Sequence, residues 1–293
     1  MKVTSLPEVE RRERSVAVGT FDGVHLGHRQ VIDSSDSVLT FDPHPVSVVA
    51  PQHTPKLLTT PERKAELIAS LGVQELIVIP FDADFARRSA AEFVDDVLVG
   101  ALGATRVAIG ENFRFGHKAQ GDPALLAADE RFTTVVHPLL EVAGEIVSSS
   151  HIRGLLLAGD VAEANQMLGA PFQLSGEVVH GDERGRQLGF PTANLIPDEA
   201  LVCPGHGVYA CLADGRPAAV SVGVRPTFQT GRGELIEAYI LDFDGDVYGK
   251  TLRIEFLERL RGERRFETPE ALIEQMRRDV ERTREVAQAL AGR

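Results

Sequence analysis

The sequence predicts two domains of different class: an α/β domain built on a parallel sheet, then an antiparallel β-barrel followed by a terminal helix. Three observations carry this. The chain has 293 residues, more than one typical core supports. Up to about residue 140, short continuous apolar runs alternate with helical patterns, as strands covered on both faces do. From residue 172 the runs alternate in polarity and are separated by turn residues, the pattern of closely spaced antiparallel strands.

The elements follow in order. Strands are expected at SVAVG (15 to 19), SVLTF (37 to 41), ELIVIP (75 to 80), TRVAIG (105 to 110) and FTTVVHPLL (132 to 140). Thr60-Pro61-Glu62 opens a helix, with threonine as N-cap and proline at the first helical position. That helix carries Leu67, Ile68 and Leu71 at helical spacing and stops at Gly72. Ser89 caps the next, around Phe93, Val94, Val97 and Leu98. Residues 148 to 168 read as two short helices, capped by Ser150 and Asp160, and the Leu155-Leu156-Leu157 run as core. The pattern changes near Gly169 to Phe172, so the domains are expected at 1–169 and 170–293. Turns at Ala213-Asp214-Gly215, Gly231-Arg232-Gly233 and Asp244-Gly245-Asp246 separate the later strands, and Thr268 caps a helix from Pro269.

Composition excludes several classes. A formal net charge of −12 argues against a protein that grips nucleic acid through its phosphates. No apolar run approaches the ~18 residues of a membrane span. The charged N-terminus MKVTSLPEVERRERS has no apolar stretch of signal-peptide type. Cys203 and Cys211 form no CxxC, which fits a reducing cytoplasm and gives no metal framework.

Chemistry concentrates in VAVGTFDGVHLGHRQVI, residues 16 to 32. In a parallel sheet, ligands bind beyond the carboxyl ends of the strands, which is where GTFDGVHLGH lies. Glycines permit sharp turns and close approach of the backbone to a ligand. His25 and His28, about one helical turn apart, are placed to donate hydrogen bonds to phosphate oxygens. A bare HxxH is more often a pair of surface histidines. A zinc site lacks nearby Cys or acidic partners at ligand spacing.

The longer string resembles the HxGH signature of nucleotidyltransferases. With T-F-D-P-H-P (40 to 45), G-E-N-F-R-F-G (110 to 116) and V-S-S-S-H-I-R (147 to 153), it is similar to the adenylyltransferase module of the bacterial bifunctional riboflavin kinase/FAD synthetase family. L-G-F-P-T-A-N (188 to 194), S-V-G-V-R-P-T-F (221 to 228), E-A-Y-I-L-D-F (237 to 243) and D-V-Y-G (246 to 249) resemble that family's kinase module. The resemblance implies a Rossmann-like nucleotidyltransferase domain followed by a riboflavin kinase-like barrel. It implies a cytoplasmic enzyme whose substrates are riboflavin, FMN and ATP, with Mg²⁺ and no permanently bound cofactor, no nucleic acid and no membrane partner. The oligomeric state stays open.

The resemblance also assigns residues. His25 and His28 would hold the ATP triphosphate during adenylyl transfer. Gly19, Phe21, Asp22, Gly27, Asn112, Ser149, Ser150 and Arg153 would complete the nucleotide site, and arginine suits phosphate because its planar fork pairs with the oxygens. Asp42, Pro43, His44 and Pro45 would shape the flavin side. In the kinase module Glu237 would be the general base, Thr192 and Asn194 the metal ligands, and Gly181, Gly185 and Arg186 part of the nucleotide flap 181 to 187, with Arg184. Each has a plainer reading: Asp42 to Pro45 as an ordinary turn, Ser149 and Ser150 as helix caps, Asn112 as a turn residue, Thr192 and Asn194 as a β-turn after Pro191, Glu237 as a solvent-facing glutamate, and the flap as a charged hairpin tip.

Two departures from the family pattern stand out. Ser150 replaces the usual threonine and keeps the hydroxyl. Only residues 29 to 37 separate His28 from Val38, although a parallel crossover usually needs a dozen or more residues. Either the helix is truncated or residues between two segments are absent from the sequence. A truncated helix would expose one sheet face and weaken the platform under His28. The alternatives are therefore a kinase with an impaired first module, or a flavin- or nucleotide-binding regulator. A different adenylyl- or cytidylyltransferase would leave the second-half motifs unexplained.

Overall fold

The computed structural model describes residues 1–179, 189–227 and 231–291. It divides into two compact units, Met1–Ser149 and Ser150–Arg293.

The first unit is a parallel sheet of six strands in the order β1-β4-β3-β2-β5-β6. These are β1 (Lys2–Ser5), β2 (Arg14–Val18), β3 (Ser37–Asp42), β4 (Glu75–Pro80), β5 (Ala104–Gly110) and β6 (Thr133–His137). Five match the expected runs. The edge strand β1 does not: the charged N-terminus hid it, and its pairing with β4 (Lys2 opposite Glu75) fixes it. One face packs Val16, Leu39, Ile77 and Val107 against Phe93, Val97 and Leu98. The other packs Ala17, Val38, Leu76 and Ala108 against Val31, Ile32 and Ile68.

In the first unit the expected caps form at two helix starts. Thr60 Oγ1 accepts the Arg63 N–H at 3.1 Å and opens α3 (Pro61–Ser70). Ser89 and Glu92 make a reciprocal capping box at α4 (Ala90–Glu92), which continues as a π-helix over Phe93–Ala101. The crossover between β2 and β3 does contain a helix, α1 (Leu26–Ile32). It is short, yet Val31 and Ile32 reach the sheet, and Ala17, Val38 and Ala108 are fully covered. The shortened segment therefore does not bare this face at β2, β3 or β5.

A charge cluster is buried at the amino-terminal edge of the sheet. Glu75 accepts hydrogen bonds from Arg14 Nε at 3.1 Å, Arg12 at 3.0 Å and Thr4 at 3.2 Å. Burial alone would raise the Glu75 pKa; the bonds from Arg14, Arg12 and Thr4 outweigh it and hold the carboxyl below its ordinary range. A carboxyl depressed in the folded state contributes stability above its unfolded pKa of about 4.3, which is lost as pH falls through the folded value. Arg14→Ala removes the one fully buried cation on Glu75, leaving Thr4 and the more exposed Arg12, and is expected to cost about 3 kcal/mol. Glu75→Gln is expected to flatten the acid limb of stability. Urea denaturation across about pH 2 to 7, which reaches roughly two units below that carboxyl value, checks both.

In the second unit, α6 (Ser149–Ala158) and α7 (Val161–Leu168) precede a closed barrel, with Ser149 itself the last residue of the first unit. Ser150 lies inside the first turn of α6 instead of capping it. Asp160 occupies the N-cap position of α7 but makes no side-chain cap bond. The barrel order is β10-β13-β12-β11-β14-β9, all antiparallel. The strands are β9 (Phe172–Val179), β10 (Ala193–Pro197), β11 (Gly207–Ala213), β12 (Arg216–Thr227), β13 (Gly231–Ile240) and β14 (Thr251–Arg261). Asn165 ties α7 to the barrel, donating to the Phe256 carbonyl and accepting from Phe172, each at 2.7 Å. The composition change read from sequence at 169/170 marks the entry to β9, whereas the α6–α7 pair packs with the second unit. Thr268 Oγ1 accepts the Ala271 N–H at 3.2 Å and opens α8 (Pro269–Ala291). Buried Asp279 on α8 pairs with Arg261 of β14 at 2.9 Å.

Candidate active sites

The strand order places a switch point at β2. The chain moves from β2 through β3 to β4 on one side, then returns to β5 and β6 on the other. Loops leaving the carboxyl ends of β2 and β5 in opposite directions open a crevice there, where such sheets bind ligands. The β2 loop carries Gly19 to His28, and the β5 loop carries Asn112. The sequence reading treated these as two motifs of one nucleotide site, and the topology brings them to adjacent strand ends.

The β2 loop is tightly built. Phe21 (φ 49) and Val24 (φ 44) both adopt left-handed backbone, strained for a β-branched residue such as valine. The Val24 N–H donates to the Phe21 carbonyl at 3.2 Å, and both side chains are buried. Gly19 lies under the Phe21 ring, where an added Cβ would come within 3.0 Å. The Asp22 carboxylate is buried and accepts N–H bonds from Leu58 at 2.9 Å and Thr59 at 3.2 Å. It thereby ties the entry to α3 to this loop. The Asp22 carbonyl accepts the Ser149 hydroxyl at 2.9 Å.

His25 is the N-cap of α1: its Nδ1 accepts the His28 N–H at 3.2 Å. An accepting Nδ1 makes Nε2 the protonated, donating nitrogen of the neutral ring. The His25 and His28 rings stack with centroids 3.5 Å apart, and Phe21 meets His28 edge-on at 5.3 Å. A Cβ on Gly27 would press on the His25 ring at 3.4 Å. Gly27 thus leaves room for the imidazole that caps the helix.

On the neighbouring strand β3, Asp42 precedes a cis peptide bond to Pro43. His44 caps α2 (Pro45–Val49), its Nδ1 accepting the Val46 N–H at 3.3 Å. Ser150 and Arg153 follow Ser149 on α6.

The second candidate site lies on the outer face of the barrel. Ala193, Leu195, Ile236, Ala238, Val220 and Val222 are buried, so alternation sends Asn194, Glu237 and Ser221 to the other face. Register then aligns them: Asn194 lies opposite Glu237, and Glu237 opposite Ser221. Asn194 is nevertheless only 6% exposed. Thr192 lies just before β10, two residues ahead of Asn194. Phe190 and Tyr239 meet edge-on at 5.2 Å, an aromatic pair whose partnership depends on barrel closure and carries no sequence signal. Gly181, Arg184, Gly185 and Arg186 lie outside the described residues.

One candidate was absent from the sequence reading. Lys64, in the first turn of α3, is half-buried with Asp22 and Asp42 as its charged neighbours. A lysine on an amphipathic helix ordinarily reads as solvated surface, so spacing alone gave no signal.

An α/β domain with an imidazole pair at its switch point, joined to a barrel with an acid–amide row, defines a two-module enzyme of nucleotide-dependent group transfer. Comparison with known proteins specifies it. Residues 8–151 match the FAD synthetase family and residues 168–287 the riboflavin kinase family. The bifunctional riboflavin kinase/FMN adenylyltransferase of Listeria monocytogenes is 39% identical over 286 residues, covering 92% of this chain and 91% of that protein. That of Bacillus subtilis is 37% identical over 290 residues, covering 92% and 91%. A solved structure described as a macrolide-efflux protein from Streptococcus pneumoniae superposes with a TM-score of 0.89 at 30% identity, covering 97% of this chain and 99% of that one. Among the described residues, no helix here is long and apolar enough to cross a membrane. The chain belongs to the bifunctional riboflavin kinase/FMN adenylyltransferase family.

Proposed function

We propose that the chain makes FAD from riboflavin in two ATP-dependent steps. In the barrel, the riboflavin 5′-hydroxyl attacks the γ-phosphorus of ATP, giving FMN and ADP. In the α/β domain, an FMN phosphate oxygen attacks the α-phosphorus of a second ATP, giving FAD and pyrophosphate. The observation that carries this is the presence in one chain of the stacked His25–His28 pair and the cross-strand Asn194–Glu237 pair.

In adenylyl transfer the protein forms no bond to substrate, so catalysis is positioning and charge stabilisation. His25 and His28 hold the α-phosphate region. Gly19, Phe21, Asp22 and Gly27 shape the loop that aims them. Asn112, Ser149, Ser150 and Arg153 hold the rest of the nucleotide, and Asp42 to Pro45 border the flavin. In the kinase, Glu237 takes the ribityl hydroxyl proton. Thr192 and Asn194 fit Mg²⁺, a hard cation that prefers oxygen donors and keeps sites for water and substrate phosphates. A hydroxyl just before β10 and a buried amide on that strand supply such oxygens. Bound there, the ion would neutralise charge on the transferred phosphoryl. Cys203 and buried Cys211 are both thiols, which suits a reducing cytoplasm.

The test is a time course with riboflavin, excess ATP and Mg²⁺, the flavins separated by chromatography. FMN is expected first and FAD after it. FMN accumulating without FAD would assign the short α1 a disabling role; neither product would overturn the enzyme reading.

A further inference from the structure

Adenylyl transfer brings two polyanions together. The FMN phosphate carries a charge approaching −2 near neutral pH, and it must approach the α-phosphate of ATP. Of the residues assigned to the flavin border, His44 alone carries an ionisable nitrogen base, and its Nδ1 already accepts the Val46 N–H at 3.3 Å.

Lys64 is placed for that role. Its N–H donates to the Thr60 carbonyl at 2.9 Å, which fixes it in the first turn of α3. The residues just before that turn are tied to the β2 loop, because Leu58 and Thr59 donate to the Asp22 carboxylate. Its second charged neighbour is Asp42, at the end of β3 and the start of the proposed flavin border. Lys64 thus adjoins both the β2 loop and the loop Asp42 to Pro45. Among the described residues, its ammonium makes no hydrogen bond or ion pair. Burial pushes its pKa down, and the Asp22 and Asp42 carboxylates pull it back up.

We propose that Lys64 is a further catalytic residue of adenylyl transfer, its ammonium binding the FMN phosphate and offsetting the repulsion between the two phosphates as they meet. The new bond joins the FMN phosphate oxygen to the α-phosphorus. The bond from that phosphorus to the bridging oxygen breaks, and pyrophosphate leaves with the electron pair. Lys64 contributes charge only; no proton leaves it. The inference rests on the α/β domain being the adenylyltransferase.

The experiment uses the full chain and supplies FMN directly. Lys64→Met is expected to lower kcat/KM for FMN on the order of 10²-fold, the loss typical of one removed charge-stabilising donor. KM for ATP is expected to change little and riboflavin phosphorylation not at all, which shows the chain still folds. Lys64→Arg should restore most of the loss. The proposal fails if Lys64→Met leaves kcat/KM for FMN unchanged. Titration of FMN binding separates the two readings: about tenfold weaker binding in Lys64→Met than in wild type supports Lys64 even if the wild type makes no FAD, and equal binding overturns it.

Discussion

Replacing His28 by alanine is expected to stop the enzyme at FMN. The variant is a clean one because of how the loop is capped. The His25 Nδ1 accepts from the backbone N–H of residue 28, not from its side chain. Alanine keeps that N–H and is a strong helix former, so α1 and its cap survive. What disappears is the imidazole stacked on His25 at 3.5 Å, the group proposed to donate to the charge that develops at the α-phosphate. Loss of one such donor costs on the order of 10²–10³-fold in rate. His25→Ala removes a donor and the N-cap together, adding about 1 kcal/mol of local destabilisation, and reports less cleanly. The measurement is FAD formation from supplied FMN, with riboflavin phosphorylation as the internal control. FAD formation at the wild-type rate would place the α-phosphate away from this loop.

The same loop shows where the sequence is legible and where it is not. Strands β2 to β6 announce themselves because each is a continuous apolar run between breakers. The caps at Thr60, Ser89 and Thr268 are equally visible, since a cap is a local bond between residues three apart. The conformation that makes the histidine loop work is not local in this way. Nothing in T-F-D-G-V-H signals that Phe21 and Val24 sit in left-handed backbone; burial of both side chains holds them there. Asp22 looks like a ligand-binding carboxylate in sequence, and in the fold its carboxylate holds the backbone of Leu58 and Thr59. The strand β1 is visible only once β4 offers it an edge. The pairing of Asn194 with Glu237 is set by register across the barrel, so no spacing rule could supply it and only motif resemblance singled out both residues.

That register makes Glu237 the second decisive position. Glu237 is exposed on β13, between buried Ile236 and Ala238. Its neighbours across the strands are Asn194 and Ser221, polar groups that suit a hydroxyl-bearing substrate. Glu237→Gln preserves size and strand pairing and removes the proposed proton acceptor. Riboflavin phosphorylation is expected to fall about 10²–10⁴-fold, the usual worth of a general base, while supplied FMN is still converted to FAD. Glu237→Gln and His28→Ala then fail at different steps and can be mixed. Starting from riboflavin, neither variant alone makes appreciable FAD. Together they are expected to do so, because FMN released by His28→Ala is a substrate for the intact α/β domain of Glu237→Gln. FAD from the mixture requires FMN to leave one chain and enter another. Its absence, with each variant active in its own half-reaction, would mean that FMN made in the barrel is used only by the chain that made it.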